Sequence, residues 1–417
     1  MLATDRPSFI SGLARTDTGR AAGLGVAVIA ANVVALAFTV VFARVLGATD
    51  YGSLATLMSA FIILMVPGSA LQVAVAREVS GALAADAPHA GAGVRRWVAR
   101  LLVGAVGVAV VAVLLRDVLA AILNVDQEWG AAAVPVTAVL WMALSVERGA
   151  LQGFQRYKLV AWSIIGEACT RLAFALLLVG AGLDVTGAFL GTALSFLAIG
   201  ALLLVPLARH VPHAEGHPLR DLLRGAGAPV AALTLLFVLQ EVHVIVVKHE
   251  ADGDTAGAYA VAAVAAKAIV WVAVGLGMYL LPETARRWRG GEDARPILVR
   301  TLGLIAVAAV PMVLIYATAG EPLLRAVFGE DLTEASGALP WLGLAMALLA
   351  CVYLATQFLL AMHRRRFIAV LAVAASAEVP LLLAIGAHLT RIALALFAIQ
   401  LIAAGCVLTI SMRERPR

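Results

Sequence analysis

The sequence has 417 residues, 62% of them hydrophobic and 14% charged, with a mean hydropathy of +0.97 and a formal net charge of +5. Ordinary soluble proteins carry about 25% charged residues, so a soluble fold of this length is excluded. A transmembrane β-barrel is excluded too, because barrel strands alternate apolar and polar residues and the apolar runs here are continuous.

The first stretch, MLATDRPSFISGLARTDTGR, is polar for twenty residues. It reads as a cytoplasmic tail (1–20), not a cleavable leader, whose short basic region would lead straight into its apolar core. A helix needs about 20 apolar residues to cross about 30 Å of hydrocarbon. In chain order the runs that qualify predict about twelve helices, near 21–43, 53–76, 98–115, 130–150, 159–180 and 185–208, then 226–247, 257–281, 301–319, 338–361, 367–387 and 391–410. The first six form an N-terminal lobe (21–208) and the last six a C-terminal lobe (226–410). Between them lies a cytoplasmic linker (209–225), and a cytoplasmic tail (411–417) follows. His210, His213 and His217 in the linker invite a metal reading, but Pro212, Gly216 and Pro218 break any helix that would align them. A solvated loop is preferred and no metal is expected. Cys169, Cys351 and Cys406 all fall in apolar runs and read as small core residues, without disulfide or metal spacing.

Charge fixes the orientation. With the N-terminus inside, 24 of the 31 basic residues lie on inner segments, 5 (Arg44, Arg116, Lys248, Arg325, Arg391) on outer ones, and 2 (Arg171, Lys267) within spans. That asymmetry follows the positive-inside rule and predicts both termini to be cytoplasmic. It also accounts for the net charge without nucleic acid. Trp97, Trp129, Trp162 and Trp341 fall near span ends, as headgroup anchors or as ordinary packing.

A constant shift of 205 residues lays RDVLAAILNVDQEWGAAAVP (116–135) over EPLLRAVFGEDLTEASGALP (321–340) without a gap. The same shift pairs Gly52 with Gly257 and Gln152 with Gln357. Six spans per half give both halves the same orientation. The predicted fold is therefore an all-α polytopic membrane protein, its two six-helix lobes related by a parallel pseudo-twofold axis around a central cavity.

The ionisable groups within the spans are Glu167, Arg171, Glu241, His243, Lys267 and Glu378. Each charge costs about 2.5–3.5 kcal/mol at the centre of a bilayer helix, so such groups face a bundle interior or a wet cavity. Glu167 and Arg171 are four apart and form either a structural i,i+4 ion pair or cavity charges. Glu241 and Lys267 sit at matching depths, roughly 10–15 Å by helix rise, and could pair across adjacent antiparallel helices. His243 is either a neutral buried imidazole or a proton-linked group. Pro67, Pro135, Pro311 and Pro380 lie within spans, as packing features or as kinks that serve as hinges. Gly187 and Gly191 mark close helix packing. There is no G-x-x-x-x-G-K-[ST] for ATP, no H-E-x-x-H and no catalytic constellation in a sizeable loop. No enzyme activity and no cofactor are expected.

Four segments carry a family resemblance. ANVVALAFTVVFARVLGATDYGSLATLMSAFIIL (31–64) resembles the first two helices of prokaryotic polysaccharide-export flippases, with their LG-x-x-x-YG loop. ERGALQGFQRYKL (147–159) resembles their fourth-to-fifth connection, and AGAYAVAAVAAKAIVWVAVGLGMYLLPETAR (256–286) their eighth helix. EPLLRAVFGEDLTEASGALPWL (321–342) resembles the segment before their tenth helix. The resemblance places the chain with the Wzx-like flippases of the multidrug/oligosaccharidyl-lipid/polysaccharide (MOP) exporter superfamily. It implies alternating access and movement of a polyprenyl-pyrophosphate-linked glycan from the inner to the outer leaflet. Arg44, Arg171, Lys248 and Lys267 are its candidates for the anionic headgroup, and Glu167, Glu241, His243 and Glu378 for ion coupling or cavity charge. Family members often carry Asp in the seventh helix where this chain has His243, with Glu241 nearby, which leaves the ion-coupling scheme open. Glycosyltransferases or a polymerase of the same pathway are the expected partners. Two alternatives remain open: a cation-coupled drug exporter of the same superfamily, and, from another class, an integral-membrane glycan-assembly enzyme, which the short loops disfavour.

Overall fold

The computed structural model describes residues 17–85, 91, 93–209 and 227–414. The linker histidines, most of the N-terminal tail and the last three residues lie outside them. Among the described residues all regular structure is helical. The first helices are α1 (Asp17–Leu64), α2 (Val66–Ala84), α3 (Val94–Leu114), α4 (Arg116–Leu123), α5 (Glu128–Gly153), α6 (Tyr157–Leu178) and α7 (Asp184–Ala208). Then come α8 (Gly227–Glu250), α9 (Gly253–Arg289), α10 (Arg295–Phe328), α11 (Leu339–Ala361), α12 (Phe367–Ile385) and α13 (Leu389–Arg413).

Ten helical segments among the described residues are long and apolar enough to cross a membrane. Two of them, Val26–Leu83 with 58 residues and Tyr157–Ala208 with 52, are far too long for one crossing at about 1.5 Å per residue. The first is broken at Gly47, whose φ of 76° and ψ of 178° leave the helical region. The second is a hairpin. A π-helical turn, Val179–Leu183, carries Gly182 at φ 85°, and Asp184 follows at φ 39°. Beyond the turn α7 runs back along α6, so that a Cβ on Gly191 would strike Ala175 and one on Gly187 would crowd Leu178. Small residues allow this approach, as the sequence pattern suggests.

The helices fall into two compact units. Unit 1 takes the described residues within Met1–Thr39, Pro67–Val111 and Pro135–Ala226; unit 2 takes Val40–Val66, Ala112–Val134 and Gly227–Arg417. In unit 1, α5 lies close along α2. Gly149 abuts the carbonyl of Gln72, and Gly153 abuts Val79. In unit 2, α11 is packed by α9, α10 and α13, and thirteen of its residues are buried. A helix apolar on all sides belongs at the centre of such a bundle.

Three features depart from the sequence reading. Helix α9 runs on to Arg289, beyond the expected end at 281, because Glu283 pairs with Arg286 at 2.6 Å and Arg287 at 3.1 Å and supports further turns. Cys169 and Cys406 are exposed and Cys351 is half-buried, so they are not core residues; an outward helix face in lipid is itself apolar. Trp97 is buried at 2% exposure and packs rather than anchors, whereas Trp129 and Trp162 are 55% and 71% exposed.

Candidate functional site

Each unit holds a cluster of buried charge. In unit 2, α8 supplies Gln240, Glu241 and His243, and α9 supplies Tyr259 and Lys267. Lys267 Nζ donates to Glu241 Oε2 at 2.6 Å, as their matched depths predict. Ser59 Oγ of α1 donates to the same oxygen at 2.8 Å, and Gln240 Nε2 donates to Oε1 at 2.9 Å. Three donors on one buried carboxylate offset much of the desolvation an ion pair suffers away from water.

Beside this satisfied pair lies an unsatisfied group. His243 Nδ1 bonds the Tyr259 hydroxyl at 3.0 Å, with the rings edge to face at 5.6 Å, while His243 Nε2 has no partner. Glu378 of α12 lies within electrostatic reach of Tyr259. It is fully buried, and neither carboxylate oxygen has a partner. Thr356 Oγ1 on α11 and both amide atoms of Gln400 on α13 are likewise buried and unpartnered. A buried carboxyl without donors must hold a proton or meet a cation.

In unit 1 the pair Glu167–Arg171 of α6 is joined by a residue the spacing did not reveal. Arg148 of α5, 3% exposed, donates through Nη1 and Nη2 to Glu167 Oε2 at 3.3 Å. It also donates to Ser163 Oγ at 3.0 Å and to the Ser163 carbonyl at 2.9 Å. Arg171 stands 3.6 Å from Glu167 Oε1, with its guanidinium over the Phe38 ring at 5.7 Å. Its Nε is buried without a partner, and 16% of its side chain is exposed. Trp141 flanks Arg148 at 5.6 Å. Arg148 and its buried neighbour Glu147 escaped the sequence reading because they fall near a span end, where charge reads as loop. The ERGALQGF segment in fact continues α5 to Gly153.

Of the two other basic candidates, Arg44 is engaged with backbone. Arg44 donates to the carbonyls of Ala326 and Val327, each at 2.8 Å, capping the end of α10. Lys248 is 8% exposed, and its carbonyl accepts from Asn124 Nδ2 at 2.6 Å. The contacts around them share one offset. Thr49 Oγ1 donates to Asp254 Oδ1 at 2.6 Å, a pair separated by 205 positions. Gly52 meets Gly257 at the same separation, and a Cβ on Gly257 would land on the Ala48 carbonyl. The contact of Arg44 with the Val327 carbonyl has its counterpart 205 positions away in each partner: His249 Nε2 bonds the Ile122 carbonyl at 2.8 Å. All these residues lie in unit 2.

Pro67 is the second residue of α2, just after the break at Met65. Pro135, Pro311 and Pro380 are inside α5, α10 and α12. The backbone of α10 leaves helical geometry at Ala319, eight positions after Pro311 and three before Pro322. No group of three or more potential metal ligands occurs among the described residues.

A sequence profile of the family described as "polysaccharide biosynthesis protein" matches residues 21–288, more than half of the chain. No curated protein matches the sequence. Among solved structures the fold is similar to that of a multidrug resistance MATE family transporter of the MOP superfamily in an inward-facing conformation. There the TM-score is 0.77 at 11% identity, over 92% of this chain and 94% of the other. It is also similar to the lipid II flippase MurJ in an inward closed conformation, with a TM-score of 0.70 at 12% identity over 94% and 88%. A mutant of the Vibrio cholerae MATE transporter VcmN gives 0.64 at 17% identity over 97% of both chains.

Proposed function

The chain belongs to the polysaccharide biosynthesis protein family, and from that premise we propose that it is a flippase that moves a polyprenyl-pyrophosphate-linked glycan from the inner to the outer leaflet of a bacterial-type plasma membrane. The observation that carries this reading is the unit 1 cluster, where Arg148 and Arg171 share the single carboxylate Glu167. Arg171 keeps a partnerless Nε and a side chain 16% exposed, and a guanidinium is a strong donor to phosphate oxygens. Headgroup and sugars occupy a hydrated path while the polyprenyl tail stays in lipid. An inside-negative potential favours outward movement of an anion by about 2.3 kcal/mol per charge per 100 mV.

Twelve spans are counted when the α6–α7 hairpin is taken twice and the chain before and after Gly47 is counted separately. A parallel pseudo-twofold relation between two six-helix lobes is supported by the contacts at a separation of 205, since residues on a twofold axis meet their own counterparts. Glu378, buried without a partner and within electrostatic reach of Tyr259, is the group for coupling to a proton or Na⁺. Glycosyltransferases or a polymerase supply and consume the substrate.

The deciding experiment measures surface glycan in a strain carrying Arg171→Ala. Loss of export with the protein still folded and inserted is expected; unchanged export removes Arg171 from the mechanism. A second reading, a cation-coupled drug exporter, is favoured by the likeness to the multidrug transporter fold. Under it, deletion raises drug sensitivity and leaves surface glycan intact.

A further inference from the structure

We propose that Glu147 is a proton-binding site that sets the net charge of the Arg148–Glu167–Arg171 cluster, so that a proton and an anionic pyrophosphate headgroup bind together. The headgroup half of this statement rests on the flippase reading; the proton half does not.

Glu147 is 2% exposed, and its Oε2 has no hydrogen-bond partner. The carboxyl points at α7, where a Cβ on Gly200 would lie 3.3 Å from Oε2. The absence of a side chain at Gly200 leaves room for the carboxyl but supplies no donor. The adjacent Arg148 turns its guanidinium to Ser163 and Glu167 across on α6. The neighbours that could alter its charge are few. Its own helix offers Arg148, and α6 offers Glu167 and Arg171. The face of α7 at Gly200 carries no ionisable residue, and α7 has none between Asp184 and its end. Arg77 and Glu78 of α2, the helix packed along α5, are exposed and turned away.

The charge count gives this group its role. With Glu147 protonated, two guanidinium groups face one carboxylate, and the cluster is net positive. With Glu147 ionised, two carboxylates balance two guanidinium groups. One proton therefore switches the cluster between neutral and cationic within a low-dielectric bundle, where a unit charge acts strongly. A pyrophosphate held by Arg171 stabilises the protonated form of Glu147, and by linkage the proton strengthens the anion's binding by the same factor.

The test uses the full chain in lipid nanodiscs, with inorganic pyrophosphate as the headgroup probe. Infrared difference spectra recorded across a pH titration should contain a protonated-carboxyl band that is lost in Glu147→Gln and retained in Glu378→Gln. A band unchanged in Glu147→Gln overturns the proton site, whatever the protein transports. Pyrophosphate should bind the wild type roughly tenfold more tightly at acid than at alkaline pH, within the usual range of coupling between sites. Glu147→Gln should bind with the acid-form affinity at every pH, and Glu147→Asp should restore the dependence. A Glu147→Gln variant that keeps the wild-type pH dependence overturns the coupling. Absence of pyrophosphate binding at every pH overturns the headgroup reading itself and the coupling with it, while the infrared band alone decides whether Glu147 titrates.

Discussion

Lys267 holds the buried carboxylate of Glu241, and removing it leaves that charge stranded, whereas Glu167 without Arg148 keeps Arg171. Breaking a buried pair from one side costs about 3–5 kcal/mol, so Lys267→Ala should lower the thermal midpoint of the purified protein markedly and Arg148→Ala by less. Their effects on export then say nothing about chemistry unless the partner is removed as well. The informative variant is Lys267→Met with Glu241→Leu, which replaces the pair by apolar groups of similar size. Its stability should return close to that of the wild type. Surface glycan in that strain reports whether the pair acts in transport or only in packing. The sequence disclosed this pair because helix rise places the two residues at equal depth on consecutive spans. It could not disclose Arg148, because whether a charge near a span end turns inward depends on what the neighbouring helix offers. Here the Ser163 hydroxyl and carbonyl receive it. Arg44 is the converse case: a basic residue at an outer span end that serves the carbonyls of Ala326 and Val327.

At the scale of elements, the expected spans fall on helices, the second of them divided by the break at Met65, because a run of apolar residues in lipid has only its own backbone to bond with. Where helices stop was less legible, since Glu283 with Arg286 and Arg287 prolongs α9 beyond its apolar part. The start of α9 is an N-cap: Asp252 accepts from the Thr255 amide at 2.9 Å and from its hydroxyl at 3.1 Å. Those bonds, the amide first, hold the Asp252 carboxyl below its ordinary value. A depressed folded-state pKa contributes stability that is present above the unfolded value and is lost as pH falls through the folded one. The small stability difference between wild type and Asp252→Asn should therefore be full at neutral pH and vanish on acidification, as read by thermal unfolding across pH. Close helix contacts give a further outcome. Gly257→Ala forces a methyl onto the Ala48 carbonyl and should destabilise by about 1–3 kcal/mol. Gly104→Ala, with nothing within 4 Å, should leave the thermal midpoint unchanged.

At the scale of the whole molecule, the offset of 205 visible in the sequence returns in the contacts of unit 2. Helices α3 and α4 part at Leu115, and the single helix α10 bends at Ala319, close to the same offset. Asn124 and Gly329, 205 apart, both end helices at positive φ. Identity between the halves is too low for sequence alone to certify the relation, because backbone geometry tolerates almost any apolar substitution. If the Thr49–Asp254 contact must open during export, a reversible cross-link between cysteines placed at 49 and 254, with the three native cysteines removed, should stop glycan export, and reduction should restore it.

The hydrogen bond between Thr49 and Asp254 has a consequence of its own. Were the two positions alike, either two hydroxyls or two carboxylates would confront each other. Unlike side chains make the contact a donor and an acceptor instead. Exchanging the partners, Thr49→Asp with Asp254→Thr, should keep the bond and the thermal midpoint, whereas aspartate on both sides should lower that midpoint by setting like charges against each other.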